Sequence, residues 1–219
     1  MRHWFKKLIY LFVFIGVSSV KAGSYEDFFT ALEADNATII DQLLERGFDP
    51  NTPNPKGVPA LMVALKVPAP KAIAVLMRHP ELKVEVRNAQ DESPLMLAAL
   101  RGYVEICAQL IERDADVNKP GWTPLHYAAT ASHVPVMQLL LDQHAYIDAA
   151  SPNGSTPLMM AAMYGSASSV KMLLEAGADP TIKNDLGLTA IDFAERVKKT
   201  DSTTIIAAFI RARRPKGAW

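Results

Sequence analysis

The stretch GWTPLHYAAT, Gly121 to Thr130, carries the side chain best suited to proton transfer in this sequence, His126, with the hydroxyl of Thr123 three residues before it. An imidazole is the usual general base, and a working one is paired at recognisable spacing with a nucleophile or an orienting acid. No such pairing accompanies His126. His79, His126, His133 and His144 have no Cys or paired His at metal-ligand spacing. Asp114, Asp116 and Asn118 alternate like part of a calcium loop, yet the required Gly and distant Glu do not follow. Gly-rich phosphate loops and G-x-S-x-G elbows are absent from the sequence. The expectation is a chain with no catalytic residue, no metal and no cofactor, which leaves open what the TPLH stretch is for.

The stretch has relatives in the chain. SPLMLAALRG at Ser93, TPLHYAATAS at Thr123, TPLMMAAMYG at Thr156 and TAIDFAERVK at Thr189 stand 30, 33 and 33 residues apart. PALMVALKVP at Pro59 and EDFFTALEAD at Glu26 are weaker copies, and each copy precedes a second apolar block that ends in a turn. Self-similarity at this period marks a repeat architecture. In the copy at Thr156, the hydroxyl suits a helix N-cap and Pro157 the first helical position, where a missing N–H costs nothing. Leu158, Ala161 and Ala162 then share one helical face, Val170, Leu173 and Leu174 form a second, and Gly177 suits a left-handed helix end.

A helix pair of this kind cannot bury its apolar face alone, so neighbours must stack and the end units must be polar. Asp27, Glu33, Asp35 and Asn36 fit that role at one end; Glu195, Arg196, Lys198, Lys199 and Asp201 fit it at the other. KVPAPKAIAV departs from the pattern, because Pro68 and Pro70 restrict its inter-helix turn to extended conformations.

With GWTPLHYAA at Gly121 and LLEAGADP at Leu173, the chain resembles the ankyrin repeat family over residues 25–214. The units lie near 25–57, 58–91, 92–120, 121–153, 154–186 and 187–214, with 215–219 a tail. The resemblance implies an all-α solenoid of about six helix-turn-helix units with short β-turn or hairpin fingers. It implies that His126 and Thr123 tie helix to turn, that RDADVN is an inter-repeat turn, and that Cys107 is a packed thiol.

It further implies a non-enzymatic module that binds a protein through a concave face of finger tips and first helices. Carried over by position, the tip residues are Ala89, Gln90 and Glu92; Trp122; Pro152, Asn153 and Ser155; Asp185, Leu186 and Leu188. The first-helix positions are Leu100, Arg101, Thr130, Ala131, Met163 and Tyr164. Trp, Tyr and Arg most often dominate interface energetics, which singles out Trp122, Tyr164 and Arg101. One finger departs from the rest. Five residues separate Thr181 from Gly187 and Asp148 from Gly154, whereas only Lys119 and Pro120 separate Asn118 from Gly121. This three-residue deletion predicts a notch beside Trp122, expected to be the central partner contact.

Composition and the N-terminus bound the setting. About half of the 219 residues are apolar, enough for a packed core, and a lone Cys precludes an internal disulfide. MRHWFKK is basic, Leu8–Val20 is uncharged, and Val20 and Ala22 supply the small residues of a cleavage site. Residues 1–22 therefore read as a secretory signal peptide cut after Ala22. The apolar run is shorter than the roughly 20 residues a spanning helix needs, so a membrane-tethered scaffold follows only if the segment is retained. The short basic and apolar regions look bacterial, which places the mature protein in the periplasm, with secretion as the alternative.

Loss of Arg2, Lys6, Lys7 and Lys21 takes the formal charge from zero to minus four, which disfavours nucleic acid as a partner. The basic tail, with Arg211, Arg213, Arg214 and Lys216, suits a helix C-terminus. The expected partner is a protein, with no small-molecule substrate. An immunity-type role, masking a co-exported toxin or hydrolase, is the alternative.

Overall fold

The computed structural model describes residues 23–213, which form helices in six successive pairs. The expected signal peptide, the tail, Arg214 and Lys216 lie outside the described residues. One compact unit, ending at Lys83, contains α1 (23–33), α2 (Ala37–Glu45), α3 (Ala60–Lys66) and α4 (Pro70–Arg78). A second, beginning at Val84, contains α5 (Pro94–Arg101), α6 (Val104–Glu112), α7 (Pro124–Ala131) and α8 (Val134–Asp142). It continues with α9 (Pro157–Met163), α10 (Ala167–Glu175), α11 (Ala190–Arg196) and α12 (Thr200–Arg213). The described residues contain no strand, only an isolated bridge between Pro53 and Pro59.

In the first unit, Phe28 and Phe48 stack with ring centroids 4.4 Å apart. The Asp35 carboxylate accepts the Ala72 N–H at 2.8 Å, tying the first helix pair to the second. Between α3 and α4, Val67 is extended and Ala69 stands outside the helical region, each immediately before a proline.

In the second unit, α5, α7, α9 and α11 pack as one row and α6, α8, α10 and α12 as another. Small side chains let the first row close up: Ala98, Ala99, Ala128, Ala129, Ala161, Ala162 and Ala194 are all fully buried. Cys107, Leu110, Val136, Met137, Leu140, Val170, Leu173 and Leu174 line the second row's inner face. Six of the nine methionines are buried in the two units, filling irregular gaps as a flexible thioether can.

Four first helices of this unit open with one device. Ser93, Thr123, Thr156 and Thr189 are the N-caps, and the residue three positions on reaches back to the N-cap N–H. The acceptor is the Met96 thioether at 3.3 Å, the His126 imidazole at 3.2 Å, the Met159 thioether at 3.4 Å and the Asp192 carboxylate at 2.7 Å. The fourth position of the TPLH pattern is thus an acceptor slot that three different chemistries fill. A buried N–H that loses its partner costs about 1–3 kcal/mol, so the slot has to be filled by something.

The fingers are hydrogen-bonded turns. At Asn54, Asn88 and Asn184 the side-chain oxygen accepts two N–H groups, from the residues two and four positions on; at Ser151 the hydroxyl accepts from Ser155. The expected polar ends are largely exposed, but Lys199 has a second use: its ammonium donates to the Gly165 carbonyl of the preceding pair.

Gly165 marks a tight backbone approach in this unit. A Cβ there would lie 2.5 Å from the Ala129 carbonyl oxygen and 2.9 Å from that of Ala161, both backbone atoms that cannot swing aside. Gly165→Ala is expected to cost about 1–3 kcal/mol through this clash. A urea midpoint unchanged from the parent protein would contradict it.

Candidate functional site

The shortened finger lies within the second unit, and its loss is compensated by one side chain. Asn118, where the other fingers have their anchoring Asn or Ser, is drawn into the link to the next repeat. It donates to the His144 carbonyl at 2.8 Å and accepts the Tyr146 N–H at 2.7 Å. Lys119 takes over the vacated space. It is only 4% exposed, and its ammonium donates to Asp91 Oδ2 at 2.5 Å and to the carbonyls of Pro120 and Trp122 at 2.9 and 3.3 Å. Asp91, at φ 58° in the preceding finger, is held below the usual carboxylate range by that hydrogen bond, with the nearby charges of Lys119 and Arg87 adding to it. The expected notch is therefore partly filled, by a lysine whose charge the spacing alone did not assign to any task.

Trp122 is half-buried, and its ring meets the His126 ring edge-on at 5.2 Å. On its open side is a groove of about 210 Å³ lined by Leu100, Trp122, His126, Tyr127, Thr130 and Met160. A cavity of roughly 150 Å³ holds a benzene ring, so the groove has room for one large apolar side chain. Tyr127 donates its hydroxyl to Glu92 Oε1 at 3.1 Å, and Thr130 donates to the His126 carbonyl at 2.8 Å. Burial, together with the charges of Glu92 and Asp91, pushes the Tyr127 phenol well above its ordinary range, so it stays a neutral donor.

Of the expected contact residues, the structure gathers Leu100, Trp122 and Thr130 around this groove, with Glu92 bonded to its wall. Ala89, Gln90, Pro152, Asn153, Asp185 and Leu186 are exposed on the fingers; Leu188 is half-buried. Arg101 and Tyr164 are exposed outside the groove lining, and Ala131 and Met163 are half-buried. Ser155 is a correction, because it is fully buried and turned inward. Its N–H bonds to Ser151 Oγ at 3.0 Å and its carbonyl to His126 Nε2 at 2.9 Å, so no surface is left for a partner. Tyr127 and Met160 were not among the expected residues. Tyr127 had a legible signal: a hydroxylated aromatic in a helix slot that holds Leu97, Met160 and Phe193 in the other repeats.

His126 itself is structural. Nδ1 accepts the Thr123 N–H, so the ring proton is on Nε2 and is donated to the Ser155 carbonyl. Burial lowers its pKa to about 4, against the opposing pull of backbone bonds at Ser155 and Ala149. A base that weak, with both nitrogens occupied, is a poor proton acceptor near neutrality. Cys107 is buried, and desolvation, with Glu105 adding to it, raises its thiol to about 12, as suits a packing residue. Asp116 accepts the Asn118 N–H at 2.8 Å within the inter-repeat turn. No group of three or more His, Cys, Asp or Glu residues is placed to hold a metal among the described residues.

The model for ankyrin repeats (3 copies) matches residues 28–120 and 115–184. The chain belongs to the ankyrin repeat family. Over 178 residues, 78% of this chain, it is 29% identical to the nuclear factor NF-kappa-B p105 subunit of Gallus gallus. Over 129 residues, 55% of the chain, it is 34% identical to ankyrin repeat and SAM domain-containing protein 6 of Mus musculus. These matches span only 18% and 15% of those proteins. The human ASB11 ankyrin repeat domain superposes with a TM-score of 0.72 at 24% identity, covering 86% of this chain and 83% of that one. An ankyrin repeat domain of Acinetobacter baumannii AYE gives 0.70 at 23% identity, with 83% and 96% covered. Ankyrin repeats are protein–protein interaction modules and generally non-enzymatic, in keeping with a TPLH histidine used as a cap.

The His126 cap makes the ankyrin fold acid-sensitive. Its folded pKa, about 4, lies below the ordinary histidine value of 6.5, so between the two the unfolded chain binds more protons and stability falls as pH falls. Between pH 7 and pH 4.5 the loss from this group is expected to be about 2 kcal/mol. Urea unfolding at both pH values measures it, and an equal drop in His126→Gln would contradict the assignment.

Proposed function

We propose that this ankyrin chain is an exported binding module. Residues 1–22 direct it out of the cytoplasm and are removed, and the mature protein engages a protein partner in the periplasm through its finger tips and first helices. The observation that carries the binding reading is the Trp122 groove. It is an apolar recess on the first-helix face of the second unit, with the tip residue Trp122 in its wall, beside the one finger that is shortened. Hot spots concentrate where an aromatic anchor meets a pocket from which water can be expelled, and Trp122 supplies the wall of such a pocket. The basic N-terminal stretch, the apolar run and the small residues at 20 and 22 support export. No helix among the described residues is long and apolar enough to cross a membrane.

Two measurements test this reading. Intact-mass analysis of the protein recovered from a bacterial periplasm is expected to show Gly23 as the first residue; a retained leader would refute export by cleavage. Affinity capture from periplasmic extract is expected to yield a protein whose affinity falls about thirtyfold with Trp122→Ala. It should be unaffected by Tyr146→Ala, which truncates an exposed aromatic away from the groove. Capture indifferent to Trp122 would remove the groove from the interface.

A further inference from the structure

Asn153 and Gly154 form a chemically labile pair at a finger tip, independent of the Trp122 groove. Every other asparagine of the chain precedes a residue whose Cβ crowds its main-chain nitrogen or, at Asn54, a proline without an N–H. Asn153 is exposed, so water and hydroxide reach it. Its Oδ1 accepts the Ser151 hydroxyl at 2.7 Å and the Ser155 N–H at 3.2 Å. Two donors on that oxygen draw electrons from Cγ and stabilise the negative charge that develops there under attack. The neighbouring nucleophile is restrained, because the Gly154 N–H is donated to the Ser151 carbonyl at 2.8 Å. An activated carbon therefore stands beside a tethered nitrogen. The next finger packs closely on both. Asp185 donates its N–H to the Asn153 carbonyl at 3.1 Å, and a Cβ on Gly154 would lie 2.8 Å from Asp185 Oδ1. The contact has no slack for an added atom and no counter-charge for a second carboxylate.

We propose that Asn153 is a site of spontaneous covalent modification, gated by opening of its finger, and that its conversion to isoaspartate uncouples this finger from the one at Asp185. When the bond to Ser151 opens, hydroxide takes the Gly154 N–H proton and the nitrogen attacks Asn153 Cγ. The new N–Cγ bond closes a succinimide; the Cγ–Nδ2 bond breaks, and Nδ2 takes a proton from water and leaves as ammonia, regenerating hydroxide. Water then opens the ring. Breaking the N–Cγ bond gives aspartate with the main chain unchanged. Breaking the original peptide bond instead gives isoaspartate, in which the chain runs through Cγ and the former main-chain carbonyl becomes a free carboxylate. That product lengthens the finger by one carbon and sets its charge against Asp185, whose N–H had bonded the same carbonyl.

Ageing the purified protein at mildly alkaline pH tests this against a freshly prepared sample. Peptide mapping by mass spectrometry is expected to show amide loss at Asn153 ahead of every other asparagine, faster as pH rises. An isoaspartate methyltransferase should label the same peptide. Asn153→Gln, whose longer side chain would have to close a larger ring, is expected to stay unlabelled while circular dichroism melts show it folded. In guanidinium chloride the finger no longer restrains Gly154, and conversion should run about tenfold or more faster than in the folded chain. Hydrogen exchange at the Asp185 amide is expected to quicken about tenfold in the separated isoaspartate form. Earlier amide loss at another asparagine overturns the proposal, as does an Asn153 amide that persists in the folded chain while the unfolded chain converts. Equal rates in the folded and unfolded chains overturn the gating, and unchanged exchange at Asp185 overturns the uncoupling. None of these outcomes bears on whether a partner uses the Trp122 groove, which the capture experiment decides.

Discussion

The turns between stacked repeats hold backbone N–H groups that no helix satisfies, and each finds an acceptor in a side chain of the neighbouring repeat. This requirement shapes the molecule more than any single apolar contact. Glu85 accepts the Asp116 N–H, Asn118 that of Tyr146 and Asp148 that of Asp179, each tie reaching about one repeat along the chain. The same need explains the acceptors at the starts of the first helices. His126 meets both demands at once, capping its own helix through Nδ1 and bonding the next repeat through Nε2. Its weak basicity follows from burial, which outweighs the opposing pull of the Ser155 carbonyl.

Much of this could be read from the sequence because apolar spacing and caps are local. The helix pairs, the N-cap role of Thr156 and the inward faces of Leu158 and Val170 follow from residues within a few positions of one another, whereas the packed state of Cys107 follows from the family resemblance. Ser155 shows the limit. Its position in the finger pointed outward, but its exposure was decided by a histidine 29 residues earlier that takes its carbonyl. Lys119 shows the same limit from the other side. Nothing within its own turn marks it as buried, since its principal partner, Asp91, belongs to the previous finger.

The groove arises from these same constraints. With the finger short, Trp122 has no long loop beside it, and its ring settles against His126 and leaves its other flank open. Tyr127 then closes one wall by reaching Glu92, a bond available only because the preceding finger is of full length. A recess is therefore produced by an irregularity between two regular fingers, while the helices beneath it stay in step.

The Lys119 ammonium also ties the length of the shortened finger to a single side chain. A full-length finger restored around an unchanged Lys119 would move the Pro120 and Trp122 carbonyls away and strand a desolvated cation, a defect that costs several kcal/mol. The length of the finger and the identity of residue 119 are therefore coupled, so that neither can be changed to the pattern of the other fingers without the other.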